Sequence, residues 1–322
     1  MKGVISGVHT PLSFPDMFPH YLCEIPEDMK AIVKQVVRAG DEIIRSNAGK
    51  VLLSKDNIFD RESKTDRMVL REITKWITVL YPDDGIIAEG LDKKTAAELG
   101  LVLNSKGFVS PKNDSVRVWA LDPVCGSTAH ANRASGPVIS LGLVTDIEPV
   151  RFLSGIVYEP GIRLFFGDIR NGENSAIMVS ADDPAGENIR VRHYDGSEDI
   201  ANSGIVAPDR VQTFDPDPRM RAAIYNFASQ FGDPGGGRFS CSGTMCEVAM
   251  GAFLAMLKSK QPVWEYAAGA AICLAAGAKI VDWRGCPFEL PELCLKDKRS
   301  FVCYSGDPII LEWVRKYLSE VA

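Results

Sequence analysis

The apolar residues Met29, Ile32, Val33, Val36, Val37, Ile43 and Ile44 recur mostly three or four places apart, the period of one helix face, and a polar tail follows at 46–49. This spacing predicts an amphipathic helix over 29–44. A second is predicted from Thr65, read as the N-cap with Asp66 in the first turn, through Val69, Ile73, Trp76, Ile77 and Leu80, stopped by Tyr81-Pro82. The two helices are expected to share a layer. Beyond the turn Asp83-Asp84-Gly85 the pattern changes to short apolar runs. Ile86-Ile87-Ala88 ends at Glu89, and 116–121 ends at Asp122-Pro123, so each predicted strand delivers a carboxylate at its end. Runs at 138–144, 153–158 and 163–166, with turn signals at 146–149 and at Glu159-Pro160-Gly161, predict a mixed or antiparallel sheet.

The stretch 181–218, rich in Asp, Pro, Gly and Asn, reads as the boundary between an N-terminal α+β half (1–180) and a C-terminal α/β half (181–322). In the second half, helices are predicted at 222–231, at 244–257 with Val248, Ala249, Ala252, Phe253 and Met256 on one face, and at 262–276, Ala-rich and closed by Gly277. A strand at 279–282 follows. No internal repeat or low-complexity segment interrupts this order.

Composition narrows the class. With 46% apolar and 24% charged residues the 322-residue chain is globular, and its net charge of −6 argues against nucleic acid polymers and anionic membranes as partners. The chain has no run near the roughly 18 apolar residues that span a bilayer, and its start lacks the pattern of a leader, so a cytoplasmic protein is expected. The eight cysteines include no C-x-x-C pair and read as reduced thiols.

The candidate chemistry lies at element ends. Glu89, Asp122 and Glu265 stand where strand-end loops and a helix start could bring carboxylates together around a hard divalent cation. Each alone also fits a simpler role, since Asp-Pro starts turns and a glutamate in a first helical turn is favoured by the helix dipole. In Asp122-Pro-Val-Cys-Gly-Ser127-Thr128, Gly126 permits a tight turn and Ser127 could cap a helix whose free N–H groups attract phosphate; an ordinary strand-to-helix turn has the same spelling.

Taken together these residues resemble the inositol monophosphatase family, which includes bisphosphate nucleotidases and is related to fructose bisphosphatases. The family pattern W-x-x-D-P-x-D-G-[TS] stands here as Trp119-Ala-Leu-Asp122-Pro-Val-Cys125-Gly-Ser127. Its upstream T-x-x-D, helix, Y-P and G-E-E stand as Lys64-Thr65-Asp66, Tyr81-Pro82 and Ala88-Glu89-Gly90. Its W-D-x-A-A-G, Ala-rich helix and strand ending in D stand as Trp264-Glu265-Tyr-Ala-Ala-Gly269 and, further on, Asp282. The agreement covers 27–287 and implies the layered αβαβα sandwich of that family, an α/β (α+β) fold.

The resemblance implies a Mg²⁺-dependent phosphatase with one or two ions. It would place a first metal on Glu89, Asp122 and the carbonyl of Val124, and a second on Asp122, position 125 and position 265. Asp66 and Ser127 would serve a metal-activated water, with Glu89 as a catalytic ligand. Gly126, Ser127 and Thr128 would supply donors to the phosphate, and Gly243-Thr244 would open the substrate-determining segment. The implied substrate is a small phosphorylated metabolite (a sugar, inositol or nucleotide monophosphate) and the implied assembly a homodimer. Lys55 matches a loop lysine of the family, although a solvated lysine reads the same way.

Three departures set this chain apart. Cys125 replaces a carboxylate and, as a thiol, is a poor Mg²⁺ ligand; Glu265 replaces aspartate with a side chain longer by one methylene, about 1.5 Å; Gly90 removes the second glutamate of G-E-E. The first metal position is formally intact and the second is altered on both sides. Three consequences are open at the level of sequence: a one-metal or slow phosphatase, a thiolate-tolerant metal such as Zn²⁺ or Mn²⁺ at Cys125, or a site turned to ligand binding, regulation or another reaction. Cysteine catalysis would need a base, and His130 is the nearest histidine in sequence, more simply read as a satisfied or surface residue. Gly235-Gly-Gly237 lacks the Lys-Ser/Thr of a phosphate loop and reads as a plain loop. Trp119 and Trp264 read as packing that places the acids.

Overall fold

The computed structural model describes residues 22–45, 47, 64–112, 115–127, 130, 136–180, 182–183, 185–194, 206–207, 217–231 and 240–322. Its helices are α1 (Glu27–Ala39), α2 (Lys64–Leu80), α3 (Lys93–Glu98), α4 (Pro218–Ala228), α5 (Cys241–Ala249), α6 (Val263–Ala275) and α7 (Pro308–Tyr317). A π-helical turn, Gly40–Arg45, continues α1. The strands are β1 (Gly85–Ala88), β2 (Arg117–Cys125), β3 (Val138–Thr145), β4 (Phe152–Glu159), β5 (Arg163–Asp168), β6 (Ser175–Ser180), β7 (Glu187–Asn188), β8 (Val206–Ala207), β9 (Ala255–Pro262), β10 (Lys279–Val281) and β11 (Lys298–Tyr304). β1 to β7 form one sheet in sequence order, and β10-β11-β9-β8 form a second. In the first sheet only the β1–β2 pair is parallel.

Three apolar cores stack these elements into layers. α1 and α2 bury Met29, Ile32, Val33, Val36, Val69, Ile73 and Ile77 against one face of the large sheet through Trp119, Leu121, Ile139, Leu141, Ile156 and Phe166. The opposite face, through Val118, Ala120, Val144, Val157 and Phe165, packs on α5 and α6 and on Met256, Phe301 and Cys303 of the small sheet. The outer face of the small sheet, through Leu257, Val302 and Tyr304, is covered by Ile224 and Phe227 of α4 and by Ile310 and Val314 of α7. The result is the αβαβα sandwich expected from the sequence.

Glycines set how closely α6 approaches the large sheet. Gly142, Gly155 and Gly167 pair across β3, β4 and β5 and form a row without side chains. A Cβ at Gly155 would sit 2.2 Å from the Ala268 carbonyl oxygen, at Gly142 2.7 Å from the Ala268 nitrogen, and at Gly167 2.6 Å from the Ile272 Cα. α6 answers with Ala267, Ala268, Ala270 and Ala271, so backbone meets backbone and the helix start is held against the sheet.

The structure corrects several boundaries. Thr65 lies inside the first turn of α2, one residue after its start, instead of capping it. β2 runs on through Asp122 and Pro123 to Cys125, because an irregularity in the pairing with β3 between Asp122 and Cys125 accommodates a proline that cannot donate to the ladder. The helix expected over 244–257 is two elements. α5 begins three residues earlier and stops at Ala249, Gly251 turns the chain at φ +80°, and Met256 and Leu257 belong to β9. A short apolar run reads equally well as helix or buried strand, and only the partner β11 decides. β6, β7, β8, β11, α3 and α7 have no counterpart among the predicted elements. The 46–49 tail and Gly235–Gly237 lie largely or wholly outside the described residues, as do Lys55 and Thr128.

Candidate active site

Two parallel strands bring the first pair of acids together. β1 and β2 pair with Ala88 opposite Leu121, and the Glu89 N–H donates to the Leu121 carbonyl at 3.1 Å. Glu89, just past the end of β1, and Asp122, the next residue of β2, therefore stand side by side. The strands are held in this register from their other end. The buried Asp84 carboxylate accepts from Trp119 Nε1 (2.9 Å), Arg117 Nε (3.1 Å) and Ser115 Oγ (3.0 Å), and the Tyr81 ring lies 4.9 Å from that of Trp119. Trp119 thus positions the acids through packing and one hydrogen bond. Asp84→Ala strands a buried indole N–H and should cost about 2 kcal/mol in urea denaturation.

The site is completed from three other elements. Asp66 is buried in the first turn of α2. Glu265 stands in the first turn of α6, next to Tyr266, whose ring is pinned edge-on by Phe152 at 6.1 Å and Phe288 at 5.6 Å. The N-terminus of α5 is capped by Ser240, whose Oγ accepts from Gly243 N–H at 2.9 Å. Ser242 Oγ donates to the Glu265 carbonyl at 2.7 Å and meets Ser140 Oγ at 2.7 Å, tying α5, α6 and β3 together behind the acids.

Asp122 is fully buried. Its Oδ1 accepts from Val124 N–H at 3.2 Å, and its Oδ2 has no hydrogen-bond partner. Burial first, then the charges of Glu89 and Glu265, push its carboxyl well above the usual carboxylate range, with a further contribution from Asp66. Four acids from four elements therefore act on one space. Cys125 is also fully buried. Ser240 Oγ donates to its Sγ at 3.0 Å, and the thiol donates to Glu265 Oε2 at 3.4 Å. Burial first, then the charges of Asp122 and Glu265, push the thiol well above its ordinary value.

The other residues singled out from the sequence fall as follows. Gly126 turns the chain at φ +96°, a conformation that favours glycine, and leads into half-buried Ser127. Gly243 and Thr244 lie buried in the first turn of α5, with Thr244 Oγ1 donating to the Ser240 carbonyl at 2.7 Å. His130 is buried and its Nε2–H reaches the Ile44 carbonyl at 3.3 Å, while the hydrogen bonds of Cys125 go to Ser240 and Glu265. Sequence reasoning does not single out Ser240, although a serine immediately before a helical run is a cap signal.

A Mg²⁺ ion fits part of this donor set. An orphaned, buried Asp122 Oδ2 among the charges of Glu89, Glu265 and Asp66 is the kind of oxygen a hard divalent cation takes up. The Cys125 position does not fit Mg²⁺, which binds oxygen and has little affinity for sulfur.

The inositol monophosphatase family model matches residues 25–320. The fructose-1,6-bisphosphatase/inositol-1-monophosphatase of Aquifex aeolicus is 25% identical over 301 residues, covering 90% of this chain and 96% of that protein. Among solved structures, the IMPase of Thermotoga maritima superposes with a TM-score of 0.65 at 18% identity, covering 90% of this chain and 97% of its own. The extragenic suppressor protein suhB of Bartonella henselae gives 0.66 at 17% identity, covering 90% and 98%.

Proposed function

The chain belongs to the inositol monophosphatase family, a family of metal-dependent phosphatases, and on that premise we propose that it hydrolyses a small phosphate monoester at the carboxylate site around Asp122. The observation that carries this reading is the orphaned Asp122 Oδ2, buried among three further acids. Glu89, Asp122 and the Val124 carbonyl would hold one Mg²⁺ ion, which when bound supplies positive charge to polarise the phosphoryl group and to offset the charge that develops in transfer. Asp66 and the Ser127 hydroxyl orient the attacking water, and Asp66 is the group that receives its proton. The N–H groups following Gly126, including those of Ser127 and Thr128, bind phosphate oxygens, and Gly243-Thr244 borders the leaving group. The substrate is a phosphorylated sugar, inositol or nucleotide, and the working unit a homodimer in the cytoplasm.

The test is Glu89→Gln measured twice. Phosphate release from a panel of sugar, inositol and nucleotide monophosphates should fall by about 100-fold or more. The metal-free protein should become more stable to heat, because one of the mutually repelling acids around Asp122 is gone. Unchanged turnover on every active substrate would refute the reading; a fall in both turnover and stability would mark Glu89 as structural instead. One feature favours a second reading, a ligand-binding or repurposed member of the family: the Cys125 thiol already satisfies Glu265 without any cation. A well-folded protein that binds a phosphate monoester and releases no phosphate would establish that alternative.

A further inference from the structure

We propose that Asp122, Cys125 and Glu265 form a binding site for one thiophilic divalent cation of the Zn²⁺ class, so that this chain pairs a hard-cation position at Glu89 and Asp122 with a soft one beside it. One ligand atom from each of the three residues lies within 4.8 Å of the others. The spacing suits a tetrahedral ion. Bonds of about 2.3 Å to sulfur and about 2.1 Å to oxygen put those two ligands about 3.6 Å apart, and Cys125 Sγ stands 3.4 Å from Glu265 Oε2. Asp122 supplies the second, independent sign of a ligand, a fully buried carboxylate oxygen without a partner.

One hydrogen bond is already in place for the thiolate that such an ion requires, and the cation's own charge offsets the burial and the carboxylates that otherwise keep the sulfur protonated. Ser240 Oγ donates to Sγ at 3.0 Å and is itself fixed by the Gly243 N–H, so its hydroxyl hydrogen is directed at the sulfur. When the ion enters, an S–metal bond replaces the S–H bond. The proton leaves by way of Glu265 Oε2, which already accepts it, to solvent, and neither oxidant nor reductant is needed. The longer reach of glutamate at 265 is consistent with a larger sulfur ligand at 125. Mg²⁺ is excluded from this position by its demand for oxygen ligands at about 2.1 Å in octahedral array.

This inference uses the acids of the phosphatase reading, and its test is chosen to read no turnover. The full chain, stripped of metal, is titrated with Co²⁺ and followed by thiolate-to-cobalt charge-transfer absorption. One equivalent should develop the band, Zn²⁺ should bleach it, and a large excess of Mg²⁺ should not. Cys125→Ser should abolish the band, whereas Cys286→Ser, which removes an exposed thiol, should leave it intact. Glu265→Gln, which keeps the sulfur, should weaken Co²⁺ binding by about tenfold or more. The absence of a band, its persistence in Cys125→Ser, its bleaching by Mg²⁺, or unchanged Co²⁺ affinity in Glu265→Gln would each overturn the site. A band in a protein without phosphatase activity sustains the site and counts against the phosphatase reading alone, and an active enzyme without a band does the reverse.

Discussion

Cys125→Asp is expected to convert the protein to strict Mg²⁺ dependence in both stability and turnover. The substitution places a carboxylate where the thiol now donates to Glu265, in a fully buried space already carrying Asp122 and influenced by Glu89 and Asp66. Without a cation the new charge adds to those of the neighbouring acids, so the metal-free protein should lose several degrees in Tm. With Mg²⁺ the same change supplies the hard oxygen donor that the wild type lacks. Mg²⁺ affinity should rise about 10- to 100-fold, Tm should recover as the ion is added, and phosphate release at limiting Mg²⁺ should increase accordingly. Thermal melts with and without Mg²⁺, alongside turnover at several Mg²⁺ concentrations, measure all three. Equal Tm in the presence and absence of Mg²⁺, with turnover unmoved, would remove position 125 from the site.

Gly155→Ala should be among the most damaging single-atom additions in the molecule. The new Cβ would lie 2.2, 2.9 and 3.0 Å from the carbonyl oxygen, carbonyl carbon and Cα of Ala268, all backbone atoms of a helix that cannot swing aside as a side chain could. Relief requires α6 to lift off β4. Overpacking of this kind costs about 3 kcal/mol or more, measured by urea denaturation. Gly172→Ala is the control. Gly172 has φ +78°, and an added methyl there would meet nothing within 4 Å, so the change should cost only about 1 kcal/mol of backbone strain. The effect at Gly155 reaches function because Glu265 lies on the same helix, one turn before Ala268. The folded fraction of Gly155→Ala should bind Co²⁺ more weakly than the wild type, while Gly172→Ala should bind it equally well. Loss of stability below about 1 kcal/mol would show that the sheet and α6 are less tightly apposed than this packing requires.

Much of the fold is legible in local patterns. The 3.6-residue period of 29–37 and 69–80 marks α1 and α2, and the alternation of apolar runs with Asp-, Pro- and Gly-rich turns marks β3, β4 and β5 nearly to their ends. The acids Glu89, Asp122 and Glu265 are marked by their positions at element ends and by the motifs around them. The split of 244–257 into α5 and β9 is not legible, since Val248, Phe253 and Met256 satisfy a helical period locally while the hydrogen-bond partner that makes β9 a strand lies some forty residues away in β11. Ser240 is marked as a helix cap at most; nothing local points it at a sulfur 115 residues earlier in the chain.

The amino-acid sequence by itself therefore determined the family, the order of the elements and the chemical identity of each group at the site, including a thiol where an oxygen donor is expected, because residue type and spacing are local properties. Tertiary structure alone decided that the thiol is buried and hydrogen-bonded to Glu265, that an Asp122 oxygen is left without a partner, and that a row of glycines lets α6 bring Glu265 within reach. Burial, charge proximity and backbone apposition are pairwise distances between segments far apart in the chain, and only packing brings those segments together.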